Sequence, residues 1–455
     1  MSILLKQSFF KYLLFISFLA QGIITVLFLN TETIKYNDIK LLTINLILFS
    51  ISILAIKNLN ISKKSFAVIL VLGAVFLQIC AMSSPPSTSD DDFRYYWDGK
   101  VQVNAINPYR YSPADEKVAY LRDDFIFSRK KPCPEHRIKP RECSKINRPT
   151  VNTIYPPASQ ATFTALYLTT FITGKSHLPY QVAGAIGVLI ISFLIAKRLA
   201  VNGSSLWASA VFAWCPITYI ELVNNAHIDW LGIIFALLAL SACASKKYIR
   251  CGIFIGIAFA SKFYPAVISP SLISKKPLRV ILSAILTVAV SYLGYVLSIG
   301  TKVLGFLPGY LEEEKYSNGE RFLLLSRIFT THQSTYIALL VLVIVSIYAM
   351  FKTDPSFPEN SALLLLVCVT LISTPAQGWY SLLLLSLIAI TKKFFILPIV
   401  FVSSYVYLAQ QSFGTQRGIA YNLYIWAVII TLALWGAGSY RKKKEHHVNL
   451  EIAQV

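Results

Sequence analysis

Charge is scarce in this chain. Only 14% of its 455 residues are Asp, Glu, Lys or Arg, and 55% are hydrophobic, where a soluble domain carries about 25% charge. So little charge cannot coat a water-soluble fold of this length. The sequence also lacks a sustained internal repeat, a low-complexity tract and any linker that would set off a second soluble domain. Cysteine is sparse too, with seven residues. Cys80, Cys215, Cys243, Cys251 and Cys368 lie within or at the ends of apolar runs and read as small hydrophobes. Cys133 and Cys143 share the polar stretch CPEHRIKPREC. They pair if that stretch faces an oxidising compartment and otherwise remain thiols. With His136 they are too few for a zinc site, so no metal ligands are assigned.

What is abundant is uncharged apolar length. Runs of about 16 to 21 residues recur from end to end, enough to cross ~30 Å of hydrocarbon as helix. In lipid each backbone polar group must be satisfied within its own segment, so the runs predict helices. The net charge of +20 is not a nucleic-acid signature, because the basic residues sit in short clusters between apolar runs, as topology signals do. The first run, Tyr12–Leu29, follows Lys6 and Lys11. It is too long for a signal-peptide core, lacks a small-residue cleavage site and reads as a retained span.

The expected fold is an all-α polytopic membrane protein, a single integral domain over 1–455. Twelve spans are expected: Tyr12–Leu29, Leu41–Ile56, Phe66–Met82, Tyr180–Ala196, Leu206–Ile220, Trp230–Ala244, Val280–Gly300, Ser334–Phe351, Ser361–Ser373, Trp379–Ile390, Phe394–Ala409 and Ile419–Ala437. Two further apolar segments are ambiguous, Ala161–Thr173 and Cys251–Ile273, the latter holding Lys262, Pro265 and Pro270. If the first lies along the membrane surface and the second dips in and returns, the short basic loops and the tail from Arg441 to Lys444 all fall inside. If both cross, the count is fourteen. Either way both termini are cytoplasmic and the protein is a multi-pass plasma (inner) membrane protein. The outer side then carries the long loop 83–159, the turn Glu221–Asp229, the loop 301–332 and the turn near Pro375–Tyr380. The tail 439–455 is cytoplasmic.

The long loop opens with SSPPSTSDDDFRYYWDGK. Pro85 and Pro86 stop the preceding helix, and Ser89 followed by Asp92 reads as an N-cap with an acidic first turn. At 100° per residue Asp91, Arg94, Tyr95, Asp98 and Gln102 share a face, and Phe93, Tyr96, Trp97 and Val101 favour the other. That pattern predicts an interfacial helix with its aromatic face in the headgroup boundary. Three aspartates in a row exceed what a helix dipole calls for. Clustered carboxylates beside a membrane suit general-base work or a divalent cation, Mg or Mn, which the sequence allows without requiring.

Further on, ELVNNAHID (Glu221–Asp229) gathers Glu221, Asn225, His227 and Asp229 at a span end. Lys262 stands at membrane depth next to a proline-broken segment, either as a functional cation or as a snorkelling one. Arg321 and Arg327 are further phosphate partners. Trp379 and Tyr380 are interface anchors or a stacking platform for sugar.

The run DDDFRYYWDG, then INPYRY, then NRPTVNTIYPP, together with HID (His227–Asp229) and KFYP (Lys262–Pro265), resembles bacterial members of the glycosyltransferase C superfamily, the polyprenyl-phosphate-sugar-dependent membrane transferases that include mannosyltransferase-like proteins. The motifs cover roughly 90–265. The acidic loop follows the third span here rather than the first, and the late turn reads AQGWY without the histidine common in the family. The resemblance implies an inverting hexosyltransferase on the outer face. Its donor is a polyprenyl-phosphate sugar and its acceptor a saccharide or lipid-linked hydroxyl. Asp91, or next Asp90, is the implied base, and Arg94, Arg148 or Lys262 meets the leaving phosphate. Asp92, Tyr95, Asp98, Tyr155, Glu221, Asn225, His227 and Asp229 are the implied surroundings of the substrates. The rival classes are a transporter or flippase for a lipid-linked saccharide, and a glycan polymerase or ligase.

Overall fold

The computed structural model describes residues 3–30, 37–128, 136–139, 142–414 and 417–452. The chain is a bundle of apolar helices with a folded polar layer at one end. Among the described residues eight helices are long and apolar enough to cross a membrane, or nine if one bent pair counts as a span.

Three spans come first: α1 (Ile3–Leu29), α2 (Asn37–Asn58) and α3 (Lys63–Ala81). Ser62 caps α3 by accepting the Ser65 N–H. The polar layer follows, with α4 (Asp91–Val103), a 3₁₀ turn at Glu116–Leu121 and α5 (Pro157–Thr173). It includes a small antiparallel sheet of β1 (Phe127–Ser128), β2 (His136–Lys139) and β3 (Glu142–Ser144), in the order β1-β3-β2. Cys143 of β3 is disulfide-bonded, and Cys133 lies outside the described residues.

α6 (Leu178–Val201) returns to the bundle, followed by the bent pair. The expected span Leu206–Ile220 breaks by 50° between α7 (Ala210–Ala213) and α8 (Pro216–Tyr219). Pro216 supplies no N–H and holds Cys215 extended (φ −63°, ψ 130°). α9 (Asp229–Ala244), α10 (Tyr248–Ser261), α11 (Pro277–Ile299), α12 (Leu307–Glu313), α13 (Thr331–Lys352), α14 (Glu359–Ser373), α15 (Leu382–Thr391), α16 (Leu397–Phe413) and α17 (Arg417–Ile452) complete the order. α15 is buried on every side from Leu382 to Ile390, as an all-round apolar helix must be. α11 and α13 lie at the rim. Leu282, Ile285, Leu286 and Val290 of α11 are exposed, an apolar surface suited to contact with lipid.

The two ambiguous segments fold in different ways. α5 runs beside α4: Gln102 donates to Gln160 at 2.9 Å, and Tyr96 packs on Tyr167. Four residues past its end, His177 pairs with Asp92 at the start of α4. α5 therefore begins and ends level with α4. The second segment is a hairpin. α10 leads from Cys251 to Lys262, which meets Asp229 at the start of α9. The 3₁₀ stretch Tyr264–Ser271 then returns until the Leu272 carbonyl meets Cys243 at the far end of α9.

One expectation fails. α4 does not present an aromatic face to a bilayer. Tyr95, Tyr96, Trp97 and Val101 are buried inside the polar layer, packed with Ile126, Phe127, Phe163, Tyr167 and Tyr180. The loop's own 3₁₀ turn, sheet and α5 enclose the helix, and helical periodicity cannot reveal a cover drawn from elsewhere in the chain. The cap also differs. The N-cap is Asp90 without a side-chain cap bond, and the Ser89 hydroxyl accepts the Asp91 N–H at 3.3 Å.

Candidate functional site

The polar layer and the bundle meet in a cleft of about 210 Å³. Asp90 and Asp91 line it from the start of α4, with Ser89, Arg94, Asn147, Arg148, Asn152, Tyr155, Lys262, Tyr310, Gln377, Trp379 and Tyr407. Of the residues expected to form the site, the cleft thus gathers Asp90, Asp91, Arg94, Arg148, Tyr155 and Lys262.

The two cleft aspartates are held by neutral donors. Asn147 Nδ2 donates to Asp90 Oδ1 at 2.9 Å and to Asp91 Oδ1 at 3.2 Å. The Tyr155 hydroxyl donates to Asp91 Oδ2 at 3.0 Å. Burial, and then the charge of Asp91, push the Asp90 carboxyl up to about 7. Tyr155 is pushed well above the usual phenol range by burial and then by Asp91, so it stays a donor. Pro156 and Pro157 fix the exit of the loop, with Pro157 the first residue of α5. This holds the Tyr155 ring edge-on to Tyr95 and Phe163.

The remaining expected residues stand behind the cleft wall. Asp92 is buried against His177. Asp98 is buried and accepts from Arg94 Nε at 3.0 Å and from Gln160 at 2.9 Å. The Arg94 guanidinium also donates to the Val151 carbonyl at 3.1 Å, so it clamps the loop although it lines the cleft. Tyr95 stacks on Phe163 at 4.4 Å.

The turn after α8 supplies the others. It begins as a π-turn, Ile220–Asn224, and contains Ala226 at φ 55°. Both features are uncommon and cost energy, and both concentrate at functional sites. Asn224 and Asn225 bond the backbone of Ser87 and Thr88, tying the turn to the approach to α4. Glu221, Asn225 and His227 are buried there. Asp229 ion-pairs with Lys262, whose Nζ also lies 5.3 Å from the Tyr380 ring centre and 5.9 Å from that of Trp379. The acidic loop, the turn and the Lys262 hairpin thus form one unit.

A second, larger cavity of about 700 Å³ adjoins the first. Phe259, Phe263, Val267, Val296, Leu304, Leu307, Leu366 and Val369 make it apolar. Ile154, Tyr155, Lys262, Tyr310 and Tyr380 line both spaces, so the groove begins where the cleft ends. Arg321 lines the groove, ion-paired with Glu314, and its Nε has no hydrogen-bond partner among the described residues. The Tyr310 and Tyr380 hydroxyls lie 3.1 Å apart at the junction. Above it Arg148 meets Glu313 of α12 at 2.8 Å. Gly305 (φ 54°) lets that loop rest on the Thr153 carbonyl, where a Cβ would overlap.

Asn147 and Asn152 belonged to a motif already singled out, NRPTVNTIYPP, without being named individually. Tyr310 and Tyr407 gave no signal, since an isolated tyrosine in a loop or span reads as an interface anchor. Among the described residues no three His, Cys, Asp or Glu side chains group to hold a metal. No protein family, curated protein or solved structure matches the chain.

Proposed function

We propose that this protein is a membrane glycosyltransferase that moves a sugar, with mannose the first to test, from a polyprenyl-phosphate donor to an acceptor hydroxyl. The observation that carries the reading is the junction: an acid-lined polar cleft opening directly onto a long apolar groove at Lys262. A lipid-linked sugar has that same division, with a polar head, an anionic joint and an apolar tail. The motif resemblance at Asp90–Asp92, Asn147–Pro157 and Lys262–Pro265 supports the same class.

In this reading the isoprenoid tail occupies the groove, in contact with lipid past α11. The phosphate lies at the junction. Lys262 there exchanges part of its contact with Asp229 for a phosphate oxygen, and Arg148 reaches in from the rim. The sugar stacks near Trp379 and bonds Asn147, Asn152 and Gln377. Asp91 takes the proton of the acceptor hydroxyl, whose oxygen attacks the anomeric carbon from the face opposite the phosphate. The bond from that carbon to the phosphate oxygen breaks, its electron pair leaves with the lipid phosphate, and the configuration inverts. The positive charge at the junction stabilises the departing phosphate. Asp90, with its elevated proton affinity, is the second base. A divalent cation is not part of the proposed chemistry.

The finer architecture belongs to the same proposal. It has twelve spans, with α5 and the α10 hairpin not counted as full crossings. The cleft is on the outer face of the plasma membrane and both termini are cytoplasmic. The disulfide at Cys143 supports that placement, because such bonds persist on the oxidising side.

The test is reconstitution in nanodiscs with a panel of polyprenyl-phosphate hexoses and saccharide acceptors. Transfer with inversion that is lost in Asp91→Asn is expected. Full transfer in both Asp91→Asn and Asp90→Asn, each folded, overturns the catalytic assignment.

A further inference from the structure

Behind the cleft lies a histidine that the transfer chemistry above does not use. The His227 side chain is wholly buried. Its Nδ1 faces two acceptors, the Glu221 carbonyl at 3.0 Å and the Glu221 carboxylate at 3.2 Å. Neither an amide carbonyl nor a carboxylate donates, so Nδ1 carries a proton and the ring is oriented by Glu221. That leaves Nε2 pointing toward α4, where it lies 3.1 Å from Ser89 Oγ and 3.9 Å from Asp91 Oδ2. The Trp379 indole, which lines the cleft, covers the imidazole at 4.0 Å between ring centres. Among the described residues, these contacts place two ionisable groups against the ring, Glu221 on one side and Asp91 on the other. Asp229 and Lys262 pair with each other beyond Trp379.

Glu221 is itself anchored. Asn225 Nδ2 donates to its Oε2 at 3.0 Å. Its side chain also borders a cavity of about 20 Å³, lined too by Thr88, Ser404 and Tyr407. The Ser404 hydroxyl has no hydrogen-bond partner among the described residues. The space accepts one water between that hydroxyl and the carboxylate.

We propose that Glu221 and His227 form a proton-accepting dyad behind Asp91, with His227 a positioning residue that acts through that carboxylate. The inference rests on the glycosyl-transfer reading of the cleft. As the acceptor oxygen bonds the anomeric carbon, its O–H bond breaks and the proton moves to Asp91. A small rotation of the Asp91 carboxyl closes the 3.9 Å gap, and the proton passes to Nε2. The product is an imidazolium between two carboxylates, and Asp91 is again ionised. No electrons change hands. The proton returns through Asp91 to cleft water once the products leave. The strained turn around Ala226 supports this role, since it holds a buried imidazole at a fixed distance from a catalytic carboxylate.

The experiment has two arms. The first measures transfer against pH for wild type, His227→Asn, His227→Gln and Glu221→Gln. A fall in kcat of about 10²-fold, an unchanged donor KM and an acid limb moved to lower pH, because the group that binds the first proton most tightly is removed or weakened, are expected. Wild-type kcat and pH profile in both histidine variants overturn the proposal. The second arm needs no substrate. Ring ¹⁵N signals of labelled full-length protein are assigned by the His227→Asn difference and followed in Asp91→Asn. Signals of His227 that move, while those of His177 stay, support the coupling, and unmoved His227 signals overturn it. If wild type transfers none of the donors, the functional reading fails, and the second arm still decides whether the dyad is coupled to Asp91.

Discussion

Asp91 and Asp98 sit seven residues apart on one helix and share a face, yet they live in opposite surroundings. Asp91 borders the cleft, and among the described residues its carboxylate accepts hydrogen bonds from neutral donors, Asn147 and Tyr155. Asp98 is sealed between Arg94 and Gln160, with its charge matched and both oxygens engaged. The same chemical group is therefore poised at one end of α4 and structural at the other. A buried carboxylate paired with a guanidinium organises the fold. One held by amide and phenol donors beside open space keeps room to take a proton from a ligand. Asp92, held by the His177 ring, and Asp229, ion-paired with Lys262, fall with Asp98.

The largest expected effects break this comparison directly. Asp91→Asn should lower transfer by about 10³-fold with little change in Tm. Asp98→Asn should do the reverse, because it strands the buried Arg94 at a cost of about 3–5 kcal/mol. Thermal unfolding and a transfer assay on both variants decide it. A stable Asp98→Asn, or an unfolded Asp91→Asn, would reverse the two roles.

Next comes Lys262, which belongs to both categories. Lys262→Met should lose about 1.5–3 kcal/mol of donor binding, read as a KM rise of roughly ten- to a hundredfold. It should also lower Tm, because Asp229 is left buried without its cation. The double change Lys262→Met with Asp229→Asn should recover Tm but not KM. Recovery of both would show the pair to be only structural.

A smaller effect sharpens the contrast between Asp90 and its neighbour. The Asp90 carboxyl titrates at about 7 in the fold, above its ordinary value of 3.8, because burial and then Asp91 disfavour its charge. The sign follows. Its contribution to stability is fully present below about pH 4 and is lost as pH rises through about 7. Asp90→Asn should therefore match wild type in Tm near pH 4 and exceed it at pH 8. Parallel Tm curves across that window would remove Asp90 as a titrating partner.

The smallest effect is expected at the rim. The Arg148–Glu313 pair is 40% and 46% exposed, so Glu313→Gln should change stability by less than about 1 kcal/mol. A larger loss in chemical denaturation would mean that α12 is fastened over the cleft more firmly than one exposed pair allows.

Much of this arrangement was legible in the residues, for identifiable reasons. The apolar runs had to be helices, because hydrocarbon leaves a backbone no other partner; eight of the twelve expected spans fall on helices long and apolar enough to cross, a ninth on the bent pair, and Trp230–Ala244, Ser361–Ser373 and Trp379–Ile390 on shorter ones. The clustered acids flagged α4, the strained turn was visible as polar residues crowding a span end, and Lys262 stood out by its depth. Illegible were the cover over α4, the break at Cys215–Pro216 within an apolar run, and the arrival of Tyr310 and Tyr407. Each depends on what packs against a residue rather than on its neighbours in the chain.

By itself, then, the sequence determined that this chain belongs in a membrane, where its helices run and which polar residues are too costly to be incidental. Only the tertiary structure decided which aspartates face open space and which are closed by a cation, because residues 91 and 98 are equivalent in helical phase. What separates them is the company they keep: Asn147 and Tyr155 at one end, Arg94 and Gln160 at the other. The turn at 221–229 and Lys262 reach the same few ångströms from more than a hundred residues away, and long-range packing alone could bring them there.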